Sequence, residues 1–191
     1  PLGLWVLERA CEQLVAWARV PAAARLVLSV NVSVRQFRQP DFVTRVEAIL
    51  ADTGVPPGQL IFEVTEGLLV DRLDQTIDRM HALAALGIRI SVDDFGTGYS
   101  SLAYLTRMPL YELKIDKGFI RDTPHDKDGT AIVQSVLAMA GHLGLRVVAE
   151  GVETQAQAEY LASHGNACMQ GYLFHRPMPL EHLLDHLRVD A

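Results

Sequence analysis

The chain has no run of lysine or arginine, and its net charge is −6, so the electrostatic footprint that duplex nucleic acid requires is absent. A ligand carrying phosphates must then be met by cations or by a few placed basic groups. No apolar run reaches membrane-spanning length and no signal peptide stands at the front, so the expectation is a cytoplasmic domain with no membrane segment. Only two cysteines occur, Cys11 and Cys168. Both sit in apolar contexts, which predicts two buried thiols in a reducing compartment rather than a disulfide. A glycine-rich phosphate loop after an early strand is missing, which argues against a doubly wound dinucleotide fold. Internal repeats, low-complexity tracts and linkers are missing as well. What is there, 191 residues with 49% hydrophobic content, suffices to bury a sizeable core as one domain over 1–191.

Apolar positions on one helical face (Leu4, Leu7, Cys11, Leu14, Ala18) predict a helix over 4–18. A near-continuous apolar strand over 26–32 follows, with Asn31 close to its end. Further strands are expected over 60–66, 88–94, 111–116, 146–150 and 167–172. Helices are expected over 41–52, 74–86, 102–107, 130–143, 155–164 and 180–187. Strands alternating with helices through short turns call for a parallel sheet with helical crossovers. The unusual polar residues Asn31, Glu63, Asp93, Lys114, Glu150 and Gln170 fall at or near the C-terminal ends of successive strands. A TIM-like (β/α)8 barrel variant distributes its functional residues that way, and about six of its strands are present in this chain.

The stretch Ser91-Val92-Asp93-Asp94-Phe95-Gly96-Thr97-Gly98-Tyr99-Ser100-Ser101-Leu102 organises the rest. A β-branched strand stops at two adjacent carboxylates, and Gly96 and Gly98 then allow a tight backbone path. Asn31, Glu63, Asp93 and Asp94 offer only oxygen ligands, which suits Mg²⁺ or Mn²⁺ and argues against a structural zinc. Alternation along a strand places Glu63 inward and sets Phe62 and Val64 against helices. Asp93 and Asp94 cannot both point straight inward. One can sit in the mouth while the other emerges where the strand turns into its loop, so that the pair serves two cations about 4 Å apart, a known clamp for phosphodiester hydrolysis. Lys114 in such a mouth can hold the nucleophilic water or neutralise phosphoryl charge. It also fits an ordinary ion pair with Asp116 or Glu150. Glu150 and Glu153 can bind metal, orient water or order a loop. His182 and His186 share a helix face, but no ligand set accompanies them, and a solvated face is expected there.

These residues resemble the EAL domain family, bacterial cyclic di-GMP phosphodiesterases. The match runs through Val30-Asn31-Val32-Ser33, Glu63-Val64-Thr65-Glu66, the long Asp93-Asp94 motif, Leu113-Lys114-Ile115-Asp116, Ala149-Glu150-Gly151-Val152-Glu153-Thr154 and Gln170-Gly171-Tyr172-Leu173-Phe174. The resemblance implies hydrolysis of cyclic di-GMP to linear pGpG with two divalent cations, Mg²⁺ or Mn²⁺. By motif, Asn31, Glu63, Asp93, Asp94 and Glu150 match metal ligands. Lys114 matches the lysine associated with catalytic water, and with Glu150 and Glu63 it makes the catalytic set. Glu66 and Glu153 match glutamates that organise the active-site loop, and Gln170 matches a residue near the substrate. The loop from Phe95 to Ser101, with Gly96, Thr97 and Gly98, matches a segment that couples metal to substrate, often at a homodimer interface.

One departure stands beside the match. No Glu-Ala-Leu occurs in this chain, and Pro1-Leu2-Gly3 matches the family downstream of that motif. The expectation is an N-terminally truncated single EAL-type domain, with the motif's glutamate, its arginine and two strands on upstream sequence, and sensory or GGDEF domains further upstream in the full polypeptide. Two other functions stay open at this point: a catalytically impaired cyclic di-GMP receptor, and a protein-interaction module that uses the barrel as scaffold.

Overall fold

The computed structural model describes residues 2–69, 72–96 and 102–189. Six strands run parallel and lie in the sheet in chain order, the arrangement that short strand–helix–strand crossovers generate. Two compact units divide the chain, one of residues 1–63, 78–89 and 177–191, the other of residues 64–77 and 90–176.

In the first unit, helix α1 (Leu2–Trp17) buries Leu4, Leu7, Cys11 and Leu14, the predicted face. The face closes on Trp17 and leaves Ala18 exposed. Ala18 makes the last 3.0 Å bond back to Leu14, and Arg19 bonds Ala16 instead, so the chain tightens out of the helix there. Strand β1 (Leu28–Asn31) pairs with β2 (Leu60–Thr65) in the register Leu28↔Leu60 to Asn31↔Glu63. A four-residue helix α2 (Val34–Phe37), too short for periodicity to reveal, is capped by Ser33, whose hydroxyl accepts from Gln36 N at 3.2 Å. Helix α3 (Phe42–Thr53) ends at Gly54, whose left-handed φ of 68° is the usual helix stop. Phe62 points out of β2 onto Phe42 (6.1 Å between rings), and Phe42 meets Phe37 at 5.8 Å, as the predicted alternation requires. Most of helix α4 (Leu73–Ala85) belongs to this unit too, and Arg79 Nη1 donates to Phe37 O at 2.7 Å.

The second unit carries β3 (Arg89–Phe95), β4 (Glu112–Ile115), β5 (Arg146–Glu150) and β6 (Ala167–Gln170). Helix α5 (Leu102–Leu105) is short, as is α6 (Lys117–Arg121), which the sequence reading omits; Asp116 caps α6 by accepting from Gly118 N at 2.8 Å. Helix α7 (Lys127–Leu143) starts before the expected residue 130, because Asp126 accepts from Gly129 N at 2.7 Å and sets an earlier N-cap. Helix α8 (Gln155–His164) completes this unit, and α9 (Leu180–Val189) belongs to the first. Val92, Leu113, Ile115, Val133, Ala140, Ala149 and Leu161 form a core with no solvent exposure. The outward residues of the central strands therefore meet α7 and α8 while the alternate ones are free for chemistry. Cys11 is buried as expected, but Cys168 is exposed. It lies on β6 opposite Val148, on the more open side of a strand that alternates half-buried and exposed residues.

Candidate active site

Both acids of the Asp93-Asp94 pair reach the same place because β3 carries one extra residue there. Ser91 and Val92 pair with Glu112 and Leu113, but Phe95 rather than Asp94 pairs with Ile115. The insertion is a β-bulge, which kinks a strand and redirects a side chain. Asp94 takes the strain, with φ at +54°, a conformation uncommon outside glycine. The Asp93 carboxylate accepts from the Asp94 backbone N at 3.1 Å and holds the kink. Carboxylate oxygens of Asp93, Asp94 and Glu150 then lie within 4.8 Å of one another. Three oxygen donors this close fit a hard divalent cation and give no set of nitrogen or sulfur ligands.

Lys114 enters the cluster from β4. Its Nζ is 2.7 Å from Glu150 Oε1 and 3.2 Å from Asp93 Oδ1, with its side chain 7% exposed. Strand register explains the approach, since Lys114 pairs with Val148, two residues before Glu150 on the same face of β5. An ammonium this buried requires partners, and here the two carboxylates supply them. Of the two ion pairs open to Lys114 in the sequence, that with Glu150 forms. Asp116 instead caps α6 and hydrogen-bonds Asp94.

Asp94 holds its proton to higher pH than an ordinary aspartate. Burial is the largest cause, followed by the negative charges of Asp93 and Asp116 and a hydrogen bond with Asp116; Lys114 opposes them. A raised carboxyl pKa means that the metal-free fold binds this proton more tightly than the unfolded chain does. Its contribution to stability is complete below the ordinary value of 3.8 and is lost as pH rises through the elevated folded value. A cation must displace that proton, so Mn²⁺ affinity is expected to weaken as pH falls through the same window. Calorimetric Mn²⁺ titrations at several pH values check this, and an affinity flat across the window would contradict it.

The remaining predicted residues divide by unit. Asn31 and Glu63 stand side by side in register at the C-terminal ends of β1 and β2, Asn31 exposed and Glu63 buried. In the second unit Glu66 is buried and its Oε2 accepts from Gly96 N at 3.3 Å. That bond ties the start of the loop after β3, where Gly96 has φ +98° and an added Cβ would meet Phe119 at 3.1 Å. Thr97 and Gly98 lie outside the described residues. Gln170 is exposed at the end of β6, in register with Glu150.

Glu153 is exposed, and the loop it occupies is organised by a residue the sequence reading missed. Gln157, nearly fully buried, accepts from Glu153 N at 2.8 Å and Thr154 N at 2.9 Å. Its amide donates to Ile120 O at 3.1 Å and Arg121 O at 3.0 Å. The signal for it was the capping box formed by Thr154 and Gln157 three residues on. Gln157→Leu strands four backbone groups and is expected to cost about 1–3 kcal/mol in urea unfolding. A loss below about 0.5 kcal/mol would show that water replaces the amide without penalty.

Taken together, the parallel α/β fold and the carboxylate–lysine cluster at its strand ends define a TIM-like fold carrying a candidate cation site. The family model described as "EAL domain" matches residues 1–177. This chain belongs to the EAL domain family. It is 45% identical over 183 residues to the bifunctional diguanylate cyclase/cyclic di-GMP phosphodiesterase MucR of Pseudomonas aeruginosa, covering 96% of this chain and 27% of MucR. It is 44% identical to the cyclic di-GMP phosphodiesterase NbdA of the same organism, covering 96% of this chain and 23% of NbdA. The chain thus spans about a quarter of the length of these curated relatives. The solved MucR phosphodiesterase in complex with c-di-GMP superposes with a TM-score of 0.91, covering 95% of this chain and 73% of that one. A manganese/cy-diGMP complex of Klebsiella pneumoniae BlrP1 is 34% identical with a TM-score of 0.79, covering 92% of this chain and 44% of that one. No helix among the described residues is long and apolar enough to cross a membrane.

Proposed function

We propose that this chain is the cyclic di-GMP phosphodiesterase part of a bacterial signalling protein, opening the cyclic dinucleotide to linear pGpG with Mg²⁺ or Mn²⁺. The carrying observation is the convergence of Asp93, Asp94 and Glu150 on one point with Lys114 paired to two of them. The relatives named as phosphodiesterases and the neighbours solved with c-di-GMP and manganese support the substrate and the metal. Residues 1–191 are read as belonging to one EAL-type domain acting in the cytoplasm, with a homodimer as its assembly.

In this reading Asp93, Asp94 and Glu150 would hold divalent cations, and by motif Asn31 and Glu63 would join them. A bound cation supplies positive charge that acidifies coordinated water and stabilises charge on phosphoryl oxygens. The chain's own residues do the rest. Asp94 would ligate as its carboxylate, and its raised proton affinity opposes that as pH falls. Lys114, released from part of its carboxylate pairing, presents N–H donors to the attacking water or to a phosphoryl oxygen and adds a fixed positive charge where negative charge develops. Glu66 and Gly96 steady the loop beside the acids, and Gln157 fixes the loop that follows Glu150.

Chromatography of cyclic di-GMP incubated with the protein and Mn²⁺ tests this reading. Linear pGpG is expected, with none formed in excess chelator. Tight binding with no product would assign the chain to the receptor class instead, and neither binding nor product would leave the scaffold role.

A further inference from the structure

One step below the carboxylate cluster, toward the start of the strands, the inward faces of β3, β4 and β5 carry a second polar layer. Ser91, Glu112 and Arg146 stand in register across the three strands. Alternation puts Ser91 on the face of Asp93, Glu112 on that of Lys114 and Arg146 on that of Glu150. Glu112 is only 4% exposed, a depth at which a carboxylate needs countercharge. Ser91 is fully buried, and among the described residues its hydroxyl has no hydrogen-bond partner. It can donate to the neighbouring Glu112 carboxylate, directly or through water, and so favour the charged form. Arg146, on the other side of Glu112, is exposed and donates to the Tyr111 hydroxyl. Its guanidinium is held mainly by Tyr111, and the Glu112 charge acts on it more weakly.

Loading the site with cations would leave Lys114 in difficulty. In the metal-free protein it is paired with Asp93 and Glu150. If both turn to cations, a buried ammonium is left beside like charges. We propose that Glu112 is the positioning residue that then holds Lys114: the ammonium passes from the Asp93 and Glu150 carboxylates to that of Glu112. The inference rests on the proposed cation site and adds how its carboxylates are released to the metal. Same-face neighbours on a strand stand about 6.5 Å apart, a gap that the long side chains of lysine and glutamate span. Glu112 lies outside the three-carboxylate group, so it keeps its charge for the lysine. An ammonium has three donors, and one bond to Glu112 leaves the others for the attacking water or a phosphoryl oxygen.

Calorimetric Mn²⁺ titration of the parent, Glu112→Gln, Lys114→Ala and the double variant tests it. Glu112→Gln is expected to weaken Mn²⁺ about tenfold in the parent, where the lysine then holds its carboxylates against the metal. In the Lys114→Ala background the same change should weaken Mn²⁺ by less than about twofold. Cleavage should show the same coupling: Glu112→Gln lowers kcat about tenfold with KM within about twofold, and adds little once Lys114 is gone. Equal losses of Mn²⁺ affinity in both backgrounds would overturn the inference, in favour of a general loss of negative charge or a damaged fold. An affinity unchanged by Glu112→Gln in the parent would overturn it as well. A parent that binds no Mn²⁺ would overturn the proposed function itself.

Discussion

Lys114→Ala is expected to lower the rate of cyclic di-GMP cleavage by about a hundredfold or more while changing KM far less. The lysine is buried and lies 2.7 Å from Glu150 and 3.2 Å from Asp93. A charge that acts where negative charge develops, rather than on the resting substrate, would show its removal as a loss in kcat. The same change has a second consequence in the metal-free protein. Asp93 and Glu150, with side chains 15% and 20% exposed, lose the cation that offsets their burial. Removing one partner of such a pair costs about 3–5 kcal/mol. Mn²⁺ should restore much of that loss, so the rise in Tm on adding Mn²⁺ is expected to be larger for the variant than for the parent. A weakened affinity with kcat preserved would instead make Lys114 a ground-state phosphate contact.

Asp93→Asn should reduce turnover on the order of a thousandfold while leaving the fold in place. Asparagine keeps the Oδ1 that accepts from Asp94 N at 3.1 Å, so the bulge that aims both residues survives. It removes one of the three clustered carboxylates, and with it charge that would draw a divalent cation into the proposed site. The expected profile is a normal circular dichroism spectrum, a Tm within a few degrees of the parent and Mn²⁺ binding weakened severalfold or more. Turnover retained within about tenfold would remove Asp93 from the metal site.

Much of this arrangement was legible because barrel-type folds put strand ends at one face and sequence marks strand ends with polar residues. Asn31 and Glu63 fall level on β1 and β2, and Lys114 and Glu150 meet across β4 and β5 as their positions suggested. The need for Asp93 and Asp94 to part ways was also readable from alternation. Its solution was not, because a bulge is defined by the partner strand: only the slip against β4 and the positive φ of Asp94 reveal it. Asp116 looked like a partner for Lys114 at two residues' distance, yet α6 is so short that nothing in the sequence announced the cap that holds it near Asp94. Gln157 was hidden for a different reason, since its role rests on carbonyls of Ile120 and Arg121, more than thirty residues away. The exposed Cys168 shows the limit of local hydropathy: apolar neighbours in sequence do not reveal which side of β6 is open.

We propose that the cluster of Asp93, Asp94 and Glu150 is the cation site on which cleavage depends. The deciding measurement is the rate of cyclic di-GMP cleavage as a function of free Mn²⁺ concentration, for the parent and for Glu150→Gln. No cleavage is expected in chelator, the rate should rise to saturation with Mn²⁺, and the curve for Glu150→Gln should be displaced to higher Mn²⁺ by about tenfold or more. A rate indifferent to Mn²⁺, or identical curves for the two proteins, would contradict it.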